Sequence, residues 1–294
     1  MKNISKIIIL CLAVLVSGCG TNMKTQNGSV PQTQNVAPKT QTVRQLKENK
    51  GSYKVLNTNL DQTYYKDAIG KTGTELKREL HQIISKQDKL SYGEIWKALG
   101  DTDQDPNHPD NVILLYEGRS VPKTKHEGSG GNWNREHVWA KSHGDFGTRV
   151  GPGTDLHNLK PEDKDVNSAR GNLDFDITEA ANTKYLKAPD TYWDNDSWEP
   201  RDEVKGDIAR IILYMDARYE GNGEIDLDAV DQVTNRRAPK HGKLSTLLKW
   251  HREDPVDDFE KRRNQVIYEK YQHNRNPFID HPEWVDQIWG QQAR

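Results

Sequence analysis

The residues best suited to chemistry lie between Asn132 and Phe175. The stretch opens with Asn132-Trp-Asn-Arg-Glu-His-Val-Trp-Ala-Lys-Ser-His143 and passes through Gly151-Pro-Gly-Thr-Asp-Leu-His-Asn-Leu-Lys-Pro161. It holds an adjacent Glu136 and His137, two further histidines, His143 and His157, and an asparagine, Asn167. A histidine titrates near neutral pH and can take a proton from water. A carboxylate joined by an amide oxygen and waters suits a hard divalent cation such as Mg²⁺. Phosphodiester hydrolysis needs both: the base activates water, and the cation stabilises charge on the phosphate and the leaving oxygen.

Two short strands and a short helix must position these groups. Neighbours on a regular strand point to opposite faces, so Glu136 and His137 can share a site only if the backbone bulges or the strand ends there. Thr154 to Leu159 reads as a second strand, with Leu156 alternating with polar residues. Pro161 is then expected to open a helix with Glu162 and Asp163 in its first turn and Gly171 just beyond its end. On that helix Asp163, Asn167 and Arg170 share one face. Taken alone, a Glu-His pair or a helical asparagine is more often an ordinary solvated group. Zinc ligation by His137, His143 and His157 has no His-Glu-x-x-His or cysteine cluster behind it.

Around this stretch the chain reads as scaffold. Leu76, Leu80, Ile83 and Ile84 recur at helical spacing, with Thr74 as the expected N-cap. Ser91 and Glu94 form a capping-box pattern before Ile95, Trp96 and Leu99, with Gly100 closing that helix. Val112 to Tyr116 is expected as a buried strand, and Asp101 to Pro106 lacks the glycine and glutamate of a calcium loop. Val204 to Tyr219 carries an apolar face of Ile208, Ile211, Ile212 and Met215, the expected central core helix. Further helices follow from Leu244 and from Val256 to Tyr271. The class is α+β and mostly helical. Trp133, Trp139, Trp193 and Trp198 are candidates for stacking on unpaired bases, although core packing is the commoner use of such residues.

The 294 residues are 33% hydrophobic and 29% charged, with a formal net charge of −2, so the balance does not itself call for nucleic acid. Lys2 and Lys6 precede the apolar run Ile7 to Val16, which is signal-peptide length and short for a membrane span. Leu15-Val-Ser-Gly-Cys19 resembles a bacterial lipobox, so residues 1–18 are expected to be a lipoprotein signal peptide and Cys19 a lipidated anchor. Residues 19–50 read as a flexible polar tether and residues 51–294 as one folded domain. Cys11 and Cys19 are the two cysteines, so no disulfide can brace the folded part.

The central stretch resembles the bacterial endonuclease I family, within the ββα-metal (His-Me finger) nucleases. The resemblance rests on Asn134-Arg-Glu-His-Val138, Thr154-Asp-Leu-His-Asn-Leu159 and Asp165-Val-Asn-Ser-Ala-Arg-Gly-Asn172. It extends through Val204 to Arg210 and on to Gln272-His-Asn-Arg-Asn-Pro-Phe-Ile-Asp-His-Pro-Glu283. It implies a ββα-metal core, His137 as general base, and Glu136 and Asn167 as ligands of Mg²⁺, with Mn²⁺ or Ca²⁺ as substitutes. It implies an arginine on the scissile phosphate, for which Arg149 and Arg170 both stand, and leaves His157 an orienting role at most. The expected activity is an exported nuclease hydrolysing RNA and DNA with little sequence preference and leaving 5′-phosphate ends. No protein partner is implied and a monomer is expected. Two other readings are a catalytically silent nucleic-acid-binding lipoprotein, against which the intact Glu136, His137 and Asn167 argue, and a zinc hydrolase.

Overall fold

The computed structural model of the chain describes residues 59–128, 131–178, 187–234 and 237–291. The expected signal peptide, the tether and Cys19 lie outside the described residues. Leu76, Leu80, Ile83 and Ile84 are buried along one face of α1 (Gly73–Ile84), and Thr72 rather than Thr74 occupies its N-cap position. Ser91 and Glu94 do exchange hydrogen bonds, Ser91 N donating to Glu94 Oε2 at 2.7 Å, ahead of α2 (Ile95–Thr102). Gly100 does not end α2, because it does not take up the left-handed backbone of a terminating glycine.

The run Val112 to Tyr116 is only partly strand. β1 (Asn111–Ile113) pairs antiparallel with β2 (Ser120–Pro122). Leu114, Leu115 and Tyr116 stay buried but leave the ladder. Tyr116 N instead donates to the buried Glu162 Oε2 at 2.5 Å.

β3 (Trp133–His137) and β4 (Leu159–Asp163) pair antiparallel in unbroken register, from Trp133 opposite Asp163 to His137 opposite Leu159. α3 (Lys164–Arg170) leads directly from β4. Two expectations are corrected here. The second strand starts at Leu159, where the sequence reading ended it, because residues 154–158 are held in a turn by Asp155 and Asn158. Asp155 Oδ1 takes His157 N at 3.0 Å, and Asn158 clamps Trp139, accepting its N–H at 2.6 Å and donating to its carbonyl at 3.2 Å. The helix starts three residues after Pro161. Proline is tolerated in a two-stranded ladder, and Asp163 is the N-cap, accepting from Asp165 N and Val166 N. Gly171 closes α3 at φ 57°, a conformation that suits glycine.

The turn carboxylate is also the polar hub of the domain. Asp155 Oδ2 accepts from Tyr214 Oη at 3.0 Å, Tyr219 Oη at 2.9 Å and Gln87 Nε2 at 3.3 Å. Those partners tie the β3–β4 unit to the central helix.

β5 (Asp174–Phe175), β6 (Tyr192–Trp193) and β7 (Ser197–Glu199) make a small sheet in the order β5-β7-β6. α4 (Lys205–Arg218) is the central core helix expected from its pattern, with Ile208, Ile212 and Met215 fully buried. β8 (Asp228–Ala229) and β9 (Lys240–His241) pair in parallel. α5 (Leu244–Glu253), α6 (Asp258–Lys270), α7 (Pro277–Asp280) and α8 (Glu283–Trp289) complete the shell, with α5 packed on α4. The described residues are thus α+β with helix predominant.

Trp133, Trp139 and Trp198 are buried in the core and offer no face to a base, while Trp193 is half-buried. Asp103 in the acidic run is buried against Lys160 Nζ at 2.6 Å and Arg263 Nε at 3.1 Å, so protein cations occupy the place a calcium ion would take. Burial alone would raise its pKa, but Arg263 and Lys160 outweigh that and hold it low.

Candidate active site

Glu136, His137 and Asn167 line a single open cleft of ≈ 460 Å³, with Asn134, Arg135 and Lys141 among its other walls. No bulge is needed to bring Glu136 and His137 there. β3 is regular and ends at His137. Glu136, in step with Asn134, meets α3; His137, in step with Arg135, takes the other face, and the cleft wraps the strand end.

Burial dominates the electrostatics of the two central groups. His137 is 5% exposed and its pKa is lowered to about 3, chiefly by burial. The ring is therefore neutral at neutral pH. Its Nε2 lies 3.0 Å from Gly153 O. A carbonyl can only accept, so Nε2 carries the proton and Nδ1 keeps the lone pair. Gly153 has no room for a side chain: a Cβ there would meet Gly147 O at 2.7 Å. That close approach fixes the carbonyl that orients the histidine.

Glu136 is 2% exposed, and burial raises its pKa against the opposing charge of Arg170. Tyr116 Oη donates to Glu136 Oε1 at 2.7 Å, and Arg170 Nη1 reaches the same oxygen at 3.3 Å. Both contacts fall on Oε1. The Tyr116 backbone is in turn held by Glu162. Asn167 Nδ2 donates to Asn134 Oδ1 at 2.7 Å, an orientation that presents the carbonyl oxygen of Asn167 as the remaining acceptor. A carboxylate oxygen and an amide oxygen on one cleft are hard donors, and they fit a Mg²⁺-like ion that retains several waters.

Arg170 is fully buried and does not line the cleft. Besides Glu136 it donates to His137 O at 2.9 Å and Val138 O at 2.7 Å, and Nη2 lies 3.1 Å from His241 Nε2. It is a brace behind the strand end, without access to a phosphate in the cleft. Arg149 is exposed, donates to Phe146 O and Asp145 O, and lines a different cleft. The structure therefore brings neither expected phosphate arginine to the site. His157 is buried against the Tyr214 ring at 4.5 Å, also away from the cleft.

The three histidines weighed as zinc ligands do not converge. His143 instead joins Asp174 and His241 in a buried group whose ligand atoms lie within 4.8 Å of one another, close enough to consider a cation. The hydrogen bonds disfavour one. His143 Nδ1 faces Lys240 O at 2.5 Å and Nε2 faces Asn172 O at 2.9 Å, so both ring nitrogens are turned to carbonyl oxygens and neither is turned to a metal. His241 Nε2 accepts from the Arg170 guanidinium, which leaves Nδ1–H for Asp174 Oδ1 at 3.0 Å. The result is a buried chain from Asp174 through His241 and Arg170 to Glu136.

Sequence reasoning missed Tyr116 and His241, which reach Glu136 directly or through Arg170 from distant segments with no local signal, and Asp174, which lies inside the central stretch but joins the chain only through His241. Of the cleft wall, Trp96 reads in the sequence only as helix scaffold, and Tyr92 carries no signal of its own. Asn134 and Arg135, by contrast, sit inside the run quoted for the family resemblance.

The Endonuclease I family model matches residues 72–283. The chain is 63% identical over 229 residues, 78% of each chain, to an extracellular ribonuclease of Bacillus amyloliquefaciens. It is 62% identical over 228 residues to an extracellular ribonuclease of Bacillus subtilis (strain 168), covering 77% of this chain and 78% of that one. It is 32% identical over 128 residues to an extracellular deoxyribonuclease of Aeromonas hydrophila, covering 43% of this chain and 48% of that one. The matched family region contains every cleft residue named above.

Proposed function

The chain belongs to the endonuclease I family and is a nuclease, and from that premise we propose a Mg²⁺-dependent phosphodiesterase that acts at the Glu136–His137–Asn167 cleft on RNA and DNA. The observation that carries this reading is the pinned histidine: a neutral, buried His137 with Nδ1 as its free base, in one cleft with two hard oxygen donors.

His137 Nδ1 takes the proton of an attacking water. The new bond joins that water oxygen to phosphorus, the bond to the 3′-oxygen breaks, the leaving oxygen takes a proton from solvent water, and His137 returns its proton to solvent. The products are a 5′-phosphate and a 3′-hydroxyl. Glu136 and Asn167 would hold the divalent ion, which when bound would stabilise charge on the phosphate and the leaving oxygen. Tyr116 and Arg170 fix Glu136 by engaging its Oε1. Mn²⁺ or Ca²⁺ would occupy the same donors. Among the described residues no base-reading motif accompanies the cleft, in keeping with low sequence specificity.

The names of the relatives place them outside the cytoplasm and support a secreted protein. The lipobox-like run ending at Cys19 supports an anchor on the outer face of the membrane, and the domain works as a monomer.

Metal removal tests the reading. Protein stripped with a chelator is expected to cut neither RNA nor duplex DNA, to regain cutting with Mg²⁺ or Mn²⁺, and to leave fragments whose 5′ ends carry the phosphate. Cutting that persists in chelator, or that returns with Zn²⁺ and not Mg²⁺, would remove the oxygen-donor site. Nucleic-acid binding with no cutting under any metal would point to the silent binding protein instead.

A further inference from the structure

One wall of the cleft is a stack of alternating ring and cation that the hydrolytic machinery does not use. The Arg135 guanidinium carbon lies 3.5 Å from the Tyr92 ring centroid and 3.8 Å from that of Trp96. Beyond Trp96 the His126 ring stacks at 4.4 Å, with Trp133 edge-on behind them. Arg135 is anchored by Nη1, which donates to Tyr92 O at 2.5 Å. Its Nε is buried without a hydrogen-bond partner, and Glu127 stands 4.0 Å from Nη2. Tyr92, Trp96 and Arg135 all line the same cleft as His137, and the Tyr92 and His137 ring centroids are 6.1 Å apart.

We propose that this wall is a subsite for one unpaired nucleotide beside the scissile bond, so that single-stranded nucleic acid is the preferred substrate class. The inference rests on the cleft being the hydrolytic site. With a ring on each side, the guanidinium can make further hydrogen bonds only in its own plane, the direction in which a planar fork grips a phosphate oxygen. Stacking holds it in that orientation before substrate arrives. Trp96 is covered by Arg135 and His126, but Tyr92 remains half-buried at the cleft surface, where a base with an uncovered π-face can rest on its ring. Such stacking accepts any base, which agrees with low sequence specificity. A base pair inside a duplex has both faces covered by its neighbours and cannot take this position without unstacking. The subsite also supplies a guanidinium in the cleft, which Arg149 and Arg170 do not.

The test compares one RNA sequence as a single strand and as a duplex, cut by wild type, Tyr92→Leu and Tyr92→Phe. Wild type is expected to favour the single strand. Tyr92→Leu should lower kcat/KM on the single strand by roughly 5- to 150-fold, the range reported by loss of one stacked base, and change the duplex little. Tyr92→Phe should restore the single-strand rate. A parallel titration with a short single-stranded oligonucleotide in chelator, where nothing is cut, should show the same loss of affinity in Tyr92→Leu. Equal losses on both substrates, unchanged oligonucleotide binding, or a wild-type preference for duplex would overturn the subsite. A wild type that binds the oligonucleotide with the expected Tyr92 dependence but never cuts would leave the subsite standing and remove the hydrolytic reading.

Discussion

Replacing His137 with alanine is expected to lower kcat/KM on RNA by about 10²–10⁴-fold, the usual contribution of a positioned general base. The substitution removes the group that takes the proton from water and leaves the oxygen donors of Glu136 and Asn167 in place. Fold and metal affinity should therefore change far less than rate. The ring makes one hydrogen bond, to Gly153 O, so its loss strands no second side chain. Single-turnover cleavage under saturating metal, beside a thermal melt, separates these effects. A His137→Ala protein that cuts like wild type would show that another group activates the water.

Arg170→Met is the second substitution with a large expected effect, and here stability and metal binding should fall together. Arg170 is fully buried and serves four acceptors: Glu136 Oε1, His137 O, Val138 O and His241 Nε2. Methionine keeps much of the volume but leaves the buried carboxylate without its cation. Breaking one side of a buried ion pair costs about 3–5 kcal/mol. Burial already raises the Glu136 pKa, and Arg170 is the charge that most opposes it. Without Arg170 the carboxyl is driven further toward its neutral form, so a cation must displace a proton to bind. A fall of about 10–100-fold in Mn²⁺ affinity is expected, as for loss of other groups that orient metal ligands. Arg170→Lys keeps the charge, but a lysine has three donors on a flexible stem and cannot reproduce the fork. It should fall between the two. Calorimetric Mn²⁺ titration and urea unfolding measure both quantities, and unchanged Mn²⁺ affinity in Arg170→Met would detach the brace from the metal site.

The sequence carried the helices well because they announce themselves through local periodicity. α1 and α4 lie where Leu76, Leu80, Ile208 and Ile212 place them. The β3–β4 unit was harder. Leu156 has the alternation of a strand residue, yet Asp155 and Asn158 bind backbone groups of the turn and delay the strand to Leu159. Pro161 looked like a helix start because proline suits that position, but Asp163 supplies the cap that sets the true boundary. At the site, the resemblance rather than the spacing singled out Glu136, His137 and Asn167, and the structure places all three on one cleft. The arginines divided differently. Arg170 was legible as a helix-face residue, but its burial depends on Phe175, whose ring lies 4.6 Å away, and on His241, which no local pattern could bring near. Arg135 was visible in the sequence, while its stacking partners Tyr92 and Trp96 come from a separate helix-and-turn segment.

The most direct measurement is the position of a bound Mn²⁺ ion in crystals of the folded domain, located by its anomalous scattering. The expected result is one strong peak in the cleft, ligated by Glu136 and Asn167 and close to His137. A peak between His143, Asp174 and His241 with none in the cleft, or no peak at saturating Mn²⁺, would contradict the assignment of the cleft as the metal-dependent hydrolytic site.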